Sequence, residues 1–307
     1  MQPHVLIMLE FKTLSLEDKT WVDELVKEEG CFSAGYSFGT IYIWNSNYRH
    51  LVARFENRMI EKLRYSDEPA FTAPIGSGSV RPALEALLEY CDSRGQRLML
   101  RGVTERQMAA IEKECPGRFE YTEDVDFADY IYRAEKLATY SGKSLHSKKN
   151  HCNRFEAEND WDFVPLTREL IPACMDMMDR WTEENAQRLH KSIVYEHEAL
   201  MKSFAAYEKL GFEGGVLRSG GKVVGFSMGE FCRADCFDVH FEKAYSDING
   251  AYPMVCREFT RMLMARHPGL VYMNREDDMG LESLRRSKLS YRPEFMVRKF
   301  TARWIYD

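Results

Sequence analysis

The sequence predicts an α/β protein made of two consecutive units, each with a mixed sheet covered by helices. The length of 307 residues suits two domains of ordinary size. Segments rich in aromatic and β-branched residues alternate with amphipathic segments of helical period, as in sheets covered by helices. A similar order of elements occurs before and after the segment near residue 133, so we expect domains over 1–133 and 134–307.

In the first half, turn residues separate strand-like from helix-like segments. The aromatic and β-branched run 40–44 predicts a strand, with 50–55 as its hairpin partner. Leucines at helical spacing predict a helix over 82–91, and Thr104 is placed to cap a helix over 105–115. The other predicted strands of this half are 71–75, 97–103 and 127–132.

In the second half, glycine and proline mark the ends of the predicted elements. Ser219-Gly220-Gly221 between two apolar runs predicts a hairpin of 215–218 with 222–226. Pro253 is tolerated in the first turn of a helix, so we expect a helix over 253–267. A helix or a pair of helices is predicted over 168–190, and further helices over 196–210 and 281–289. Strands are predicted over 236–241, 270–274 and 295–304.

Composition and charge exclude several classes of protein. Hydrophobic residues make up 45% and charged residues 29% of the chain, a globular rather than a disordered balance. The net charge of −6 differs from that of proteins that coat nucleic acid in bulk. No run approaches the roughly 18 apolar residues of a membrane span, and the first ten residues lack the features of a secretory signal. We therefore expect a cytoplasmic protein without membrane insertion.

The eight cysteines predict reduced thiols, because they are scattered and form no Cys-x-x-Cys pair. Cys232, Cys236 and His240 recur at intervals of four, but a continuous strand would separate successive members by about 13 Å. A hairpin loop over 233–235 would instead place the two cysteines face to face. A structural zinc site uses four ligands, so the sequence predicts no bound metal.

The run 225–229 matches the Gly-x-Ser-x-Gly pattern of a nucleophile elbow. Such an elbow requires a strand, a sharp turn and a helix, whereas this run lies within one arm of the predicted hairpin. We therefore interpret Ser227 as an ordinary strand residue.

Two features suggest an anionic ligand. Glycine-containing loops at 76–79 and 246–251 precede a helix, where backbone N–H groups can hold a phosphate. Residues 133–154 carry six Lys and Arg against one Glu, and residues 285–303 carry seven against one. This asymmetry in an acidic chain favours a localised phosphate or nucleotide, although a solvated helix face would account for either segment alone.

Polar residues follow the predicted strand 270–274, at the edge where open α/β sheets bind ligands. Glu276 could act there as a general base for an attacking amine. Glu242, near the end of the preceding strand, is the analogous candidate. Asp278 is better suited to cap the following helix.

Three segments carry a family resemblance. They are 140–155 (YSGKSLHSKKNHCNRF), 274–281 (NREDDMGL) with its continuation to Tyr291, and 241–244 (FEKA) with 250–252 (GAY). Together they resemble the family of the phosphatidylglycerol lysyltransferase C-terminal domain, which is related to the Fem-type aminoacyltransferases. The resemblance covers nearly the whole chain and implies two tandem GNAT-like acyltransferase domains with a cleft between them.

The resemblance also implies transfer of an acyl group from acyl-CoA, or from aminoacyl-tRNA, to an amine or hydroxyl. No tightly bound cofactor is expected, and the partners would be a small-molecule or peptide amine and, for the second donor, tRNA. Glu276 or Glu242 would deprotonate the acceptor. The expected donor-binding residues are Ser246, Asn249, Gly250, Ala251, Lys148, Lys149, Arg154, Asn274, Arg275, Arg285 and Lys288. The alternative is a GNAT-like module that binds a phosphorylated metabolite or RNA without catalysis.

Overall fold

A computed structural model describes residues 9–64, 69–185 and 191–306, including all of their side chains except those of 184, 185 and 191–193. The chain forms two compact units, Met1–Ala128 with Val297–Asp307 and Asp129–Met296. Each unit contains a mixed sheet with helices, which confirms the predicted fold class. Within the described ranges, no helix is long and apolar enough to cross a bilayer.

The first unit is built on a sheet with the strand order β1-β2-β3-β5-β14-β6, in which β4 also pairs with β2. Its strands are β1 (Leu51–Phe55), β2 (Arg58–Leu63), β3 (Ala70–Thr72), β4 (Ile75–Gly76), β5 (Met99–Thr104), β6 (Phe119–Glu123) and β14 (Lys299–Trp304). Its helices are α1 (Lys19–Glu29), α2 (Phe38–Tyr48), α3 (Arg81–Asp92) and α4 (Glu105–Glu114). The apolar face of α3 forms the core with the sheet, where Leu84 and Leu87 join Phe71 and Leu100 in one buried cluster.

The second unit is built on a sheet with the strand order β13-β7-β12-β11-β10-β9-β8. Its strands are β7 (Asp129–Arg133), β8 (Trp161–Pro165), β9 (Glu213–Ser219), β10 (Lys222–Arg233), β11 (Cys236–Ala244), β12 (Tyr272–Asn274) and β13 (Phe295–Val297). Its helices are α5 (Ala134–Thr139), α6 (His146–Glu158), α7 (Ile171–Asn185), α8 (Lys191–Ala205), α9 (Tyr207–Leu210), α10 (Ala251–Arg266) and α11 (Glu282–Ser290). The long helix α10 buries Met254 and Phe259 against Phe237 and Met273 of the sheet.

Elements with a strong local signal lie where the sequence predicts them. Thr104 caps α4 through a capping box with Gln107. Gly220 and Gly221 both have positive φ, 56° and 74°, as the tight turn between β9 and β10 requires. The 225–229 run lies within β10, so Ser227 is a buried strand residue. Residues 186–190 of the helix predicted over 168–190 lie outside the described residues.

The prediction of a strand over 40–44 is wrong, because this segment is the middle of α2. The Ser37 side chain caps the helix by accepting a hydrogen bond from the Thr40 N–H, 3.2 Å. Phe38, Ile41 and Ile43 are all buried, so the helix is apolar on several sides and its composition resembles that of a strand. The hairpin partner of β1 is therefore β2 rather than 40–44.

The last segment, 295–304, is predicted to be one strand, but the structure shows two. It forms β13 in the second sheet and β14 in the first, with Arg298 between them. Similarly, the strand predicted to end the first half is β7 of the second sheet. The two units therefore differ from the expected domains 1–133 and 134–307. These strands pair with partners that are distant in sequence, and such pairing leaves no local pattern. The sheet to which each strand belongs could therefore not be inferred from the sequence.

Candidate active site

The candidate site lies in the second unit, where two parallel strands stop pairing. The register of β11 with β12 runs from Cys236 opposite Tyr272 to Asp238 opposite Asn274. The shorter strand ends at Asn274, whereas β11 continues to Ala244. Side chains after Asn274 therefore lie beside those of the last residues of β11, at the carboxyl ends of both strands. This is the edge at which α/β sheets bind ligands.

A local turn directs the Glu276 side chain toward β11. The buried Asn274 Oδ1 accepts a hydrogen bond from the Glu276 N–H at 2.7 Å, and Glu276 has a left-handed φ of 54°. Two backbone hydrogen bonds with Tyr130 hold Arg275 and Glu276 against β7. Since a non-glycine residue adopts this conformation at a cost, the surrounding contacts must impose it.

Four side chains form what we call the acidic cluster: Glu230 of β10, Asp238 and His240 of β11, and Glu276. The His240 Nδ1 lies 3.1 Å from Glu276 Oε1 and 3.5 Å from Asp238 Oδ2, and its Nε2 lies 3.2 Å from Glu230 Oε1. The side chains of Asp238 and His240 are 0% exposed, and that of Glu276 is 26% exposed. Glu276 is thus the member of the cluster most open to a substrate.

Burial and mutual charge set the electrostatics of the acidic cluster. Burial raises the pKa of Asp238 well above its ordinary value, although His240 opposes this change. Burial alone would lower the pKa of His240, but Asp238, Glu230 and Glu276 raise it well above its ordinary value. Both changes favour protons held on His240 and Asp238 when no other cation is bound.

A β-bulge places His240 in the acidic cluster. The register of β10 with β11 shifts between Met228, opposite Phe241, and Gly229, opposite Val239, so that His240 is the extra residue. Gly229 is required at this position, because a Cβ there would lie 1.8 Å from the Asp238 carbonyl oxygen. Any side chain at position 229 would therefore clash with the backbone of β11 and disrupt the bulge.

Next to the acidic cluster, Arg275 lies in an aromatic environment. Its Nη2 donates to Glu242 Oε1 at 2.6 Å, and its guanidinium lies 4.4 Å from the centre of the Tyr291 ring. The Lys148 Nζ lies 3.9 Å from the same ring. Burial, followed by the nearby Arg275 charge, lowers the pKa of Lys148. This arrangement concentrates positive charge beside a tyrosine face.

Two cations fix the loop that follows β12. The Lys288 ammonium donates to the carbonyl oxygens of Arg275 and Asp277. Arg285 binds both carboxylate oxygens of Asp278, at 2.8 and 2.9 Å. Contrary to the prediction from the sequence, Asp278 does not cap the next helix. Its side chain accepts hydrogen bonds from Arg285 and from the Gly280 N–H, and Leu281 is the residue that precedes α11.

In the predicted phosphate loop of the second unit, two positions are not available as backbone donors. The Ala251 N–H donates to the Ile248 carbonyl at 3.1 Å, and Pro253 in the first turn of α10 has no N–H. Gly250 has a φ of 86°, and a Cβ there would lie 2.3 Å from the His151 carbonyl oxygen. The loop is therefore closely packed against α6.

The remaining residues of the predicted donor site are more exposed. Ser246 and Asn249 lie on the surface, and Asn249 Oδ1 is 2.9 Å from the His151 Nδ1. Lys149 is exposed, and Arg154 pairs with Glu158 one turn along α6. The structure thus brings together Glu276, Glu242, Asn274, Arg275, Lys148 and Lys288, whereas Lys149 and Arg154 lie on the outer surface of α6.

In the first unit, a side chain occupies the place expected for a phosphate. The Glu114 carboxylate accepts hydrogen bonds from the Val80 N–H at 3.3 Å, the Arg81 N–H at 3.0 Å and the Ser79 hydroxyl. These donors are the ones that a phosphate would use at the N-terminus of α3. The glycine loop 76–79 is therefore closed by an internal anion.

Sequence reasoning missed Asp238 and Glu230, and it considered His240 only as a partner for cysteines. In the structure, His240 contacts carboxylates, while the Cys232 thiol lies 3.5 Å from the Cys236 carbonyl oxygen across the β10–β11 hairpin. A signal was present, since Asp238, His240 and Glu242 alternate along β11 with the apolar residues Phe237, Val239 and Phe241.

Comparison with known structures supports the fold. A conserved protein of unknown function from Bacteroides thetaiotaomicron has a TM-score of 0.92 and 32% identity, covering 97% of this chain and all of that one. L-PGS from Bacillus licheniformis gives a TM-score of 0.68 at 14% identity, covering 97% of this chain and 93% of that one. FemX gives 0.61 at 10% identity, covering 95% and 97%. The last two likenesses concern the fold alone.

Sequence comparison identifies the family. An uncharacterised protein of Mycoplasmoides gallisepticum is 27% identical over 193 residues, which span 58% of this chain and 56% of that protein. The chain thus covers little more than half the length of that relative. The family model described as phosphatidylglycerol lysyltransferase, C-terminal, matches residues 31–303. Since this match spans most of the chain, the protein belongs to the family of the phosphatidylglycerol lysyltransferase C-terminal domain.

Proposed function

We propose that the protein is an aminoacyltransferase that moves an aminoacyl group from aminoacyl-tRNA to an amine or hydroxyl of a small-molecule or peptide acceptor. Membership of the family supports a transferase, and the fold shared with L-PGS and FemX agrees with it. The observation that carries the proposal is the position of Glu276. Its carboxylate is partly exposed and is held by a buried histidine at the carboxyl end of β12.

In this proposal, Glu276 binds the acceptor and receives its proton. The acceptor nitrogen or oxygen attacks the ester carbonyl carbon of the donor, a new bond to that carbon forms, and the bond to the ribose oxygen breaks. The proton removed from the acceptor passes to Glu276, which then returns it to the leaving ribose oxygen. Holding both reactants beside the carboxylate would supply much of the rate.

The second predicted carboxylate would act indirectly. Glu242 accepts a hydrogen bond from Arg275, which lies over the Tyr291 ring beside Lys148. We assign Glu242 the role of fixing Arg275, whose charge faces the donor ester together with Lys148. Lys149 and Arg154 on the exposed side of α6 would contact donor phosphates, with Ser246, Asn249, Gly250, Ala251, Asn274, Arg285 and Lys288 shaping the surrounding loops.

The loop before α10 supports the choice of tRNA over acyl-CoA as the proposed donor. A CoA pyrophosphate needs several convergent N–H groups at a helix N-terminus. Here Pro253 removes one donor and the Ala251 N–H is already bonded. The exposed cations of α6 suit the phosphates of a nucleic acid end better. Acyl-CoA is the competing donor.

The test is transfer of a labelled amino acid from charged tRNA to hydroxylamine and to a pool of natural amines. We expect acceptor-dependent loss of label from the tRNA with the native protein. Glu276→Gln should slow transfer at least 100-fold, because general base catalysis is typically worth about 10² to 10⁴ in rate. Glu282→Gln is the matched control, since Glu282 is an exposed carboxylate on α11 that pairs with Arg286.

Transfer that proceeds equally well in the Glu276→Gln protein would remove this residue from the mechanism. Binding of tRNA without transfer in the native protein, to any of the amines offered, would favour the non-catalytic binding module instead.

A further inference from the structure

The acidic cluster contains a carboxylate that the protein itself does not satisfy. Asp238 is fully buried, and neither of its oxygens has a hydrogen-bond partner among the residues that the structure describes. A buried carboxylate without hydrogen bonds is costly unless a cation compensates its charge. The nearby Asp129 is also fully buried and adds to the negative charge that Asp238 experiences.

The two nitrogens of His240 have different environments. Its Nε2 lies 3.2 Å from Glu230 Oε1, so an Nε2–H would donate to this carboxylate. The Nδ1 then faces Asp238 Oδ2 at 3.5 Å and Glu276 Oε1 at 3.1 Å. With Nε2–H donating to Glu230, Nδ1 can hold either a proton or a metal ion between these two carboxyl oxygens. A metal ion bound there would take the place of the Nδ1 proton.

The spacing of the three atoms suits one metal ion. Two ligand atoms about 2.1 Å from the same ion lie about 3.0 to 3.4 Å apart at octahedral or tetrahedral angles. The distances from Nδ1, 3.5 and 3.1 Å, are close to these values, and the ligand atoms of all three residues lie within 4.8 Å of one another. The hydrogen bond to Glu230 is the carboxylate–histidine contact that commonly orients a metal-bound imidazole.

The positive charge of Lys288 is directed elsewhere. Its ammonium donates to the backbone carbonyl oxygens of Arg275 and Asp277. It therefore contributes to the field around Glu276 without bonding to Asp238. The Lys288 ammonium therefore does not occupy the space among the three ligand atoms.

We propose that Asp238, His240 Nδ1 and Glu276 bind one divalent first-row transition ion, with Glu230 orienting the imidazole. A mixed set of one imidazole and two carboxylates suits Zn²⁺ or Mn²⁺. Glu276 would give Oε1 to the ion and keep its second oxygen for the acceptor, so the ion would hold the proposed proton acceptor in place. The inference shares Glu276 with the proposed function but rests on the buried, unsatisfied Asp238.

The test is calorimetric titration of the chelator-treated full chain with Zn²⁺ and with Mn²⁺. We expect one ion per chain. Asp238→Asn, which preserves shape, should weaken binding at least tenfold, and His240→Asn should abolish it. Glu230→Gln should weaken binding by about 10- to 100-fold, as expected for a residue that orients a ligand. Circular dichroism checks that each variant folds.

His267→Gln is the matched control, because His267 also lies beside a carboxylate, Glu213, at 2.6 Å, but in a partly exposed pair. It should bind the ion as the native protein does. A Co²⁺ spectrum with a thiolate charge-transfer band would place the ion on the buried cysteines and overturn the proposal. So would the absence of binding to the native chain, or unchanged binding in Asp238→Asn.

The metal-binding and transfer experiments test the two proposals independently. Unchanged metal binding in Asp238→Asn together with loss of transfer in Glu276→Gln would overturn the metal site and keep the transferase. One bound ion in a protein that transfers no amino acid would do the reverse.

Discussion

At the scale of single residues, Arg275 shows how the site depends on pairing between buried charges. The side chains of Arg275 and Glu242 are 13% and 10% exposed and are joined at 2.6 Å. Removing one partner of a buried pair leaves the other charge without compensation, which is far more costly than losing a surface pair.

Glu242→Gln should therefore lower the free energy of unfolding by about 3 kcal/mol. The matched control is Asp162→Asn, which breaks the more exposed pair with Arg218 and should cost less than about 1 kcal/mol. Urea unfolding of the two variants provides the comparison. Equal losses would contradict the description of Arg275 as a buried cation held by Glu242.

A second residue-scale prediction concerns acid stability in the first unit. Burial alone would raise the pKa of Asp18, but hydrogen bonds from Lys12, Trp21 and Ser15 lower it to about 2. A carboxylate with a lowered native pKa stabilises the fold above its unfolded pKa, and this contribution is lost as the pH falls through the native value.

The contribution of Asp18 should therefore be complete at neutral pH and decline between about pH 4 and pH 2, by roughly 2 kcal/mol. Unfolding of native protein and Asp18→Asn across this range measures it. The difference in free energy between them should shrink with acid. A difference that stays constant down to pH 2 would show that the hydrogen bonds do not lower the pKa of Asp18.

The sequence predicts some residues of the candidate site and not others, for a physical reason. Glu276 and Glu242 could be predicted because polar residues at strand ends are exposed to ligands in α/β sheets. Asp238 and Glu230 lie within strands, and their meeting depends on the register of β10 with β11 and on the bulge at His240. The alternation of polar residues along β11 marks Asp238 and His240 as candidates, but it does not specify the register shift that brings Glu230 beside them.

At the scale of elements, those with a local sequence signal were predicted, whereas the pairing of strands that are distant in sequence was not. The helix α4 and the β9–β10 turn were predictable from a capping box and two glycines. The strand β14 was not assigned to its sheet, because its partners β5 and β6 lie about 180 to 200 residues earlier. It pairs with both of them, as Ala302 opposite Leu100 and Tyr121 shows.

Ending the chain after Arg298 should therefore disrupt the first sheet. Without β14, the strands β5 and β6 have no common partner, and amide exchange over Met99–Thr104 and Phe119–Glu123 should rise strongly. Ending the chain after Trp304 keeps the strand whole and serves as the control. Unchanged protection in the shorter chain would contradict the placement of β14 between these two strands.

At the scale of the whole molecule, the family and the two mixed sheets agree with what the sequence motifs implied, whereas the donor must be decided by binding. The proposed phosphate contacts are Lys149 and Arg154. Two contacts with single-stranded phosphates would reduce affinity about 7-fold over a fourfold rise in salt. A small donor bound by a closed loop would depend much less on salt.

The most direct measurement of the central claim is binding of tRNA and of acetyl-CoA to the native chain at about 50 and 200 mM salt. We predict that tRNA binds, that its affinity falls steeply at the higher salt, and that acetyl-CoA does not compete. Salt-tolerant binding of acetyl-CoA with no binding of tRNA would contradict aminoacyl transfer and make acyl-CoA the donor.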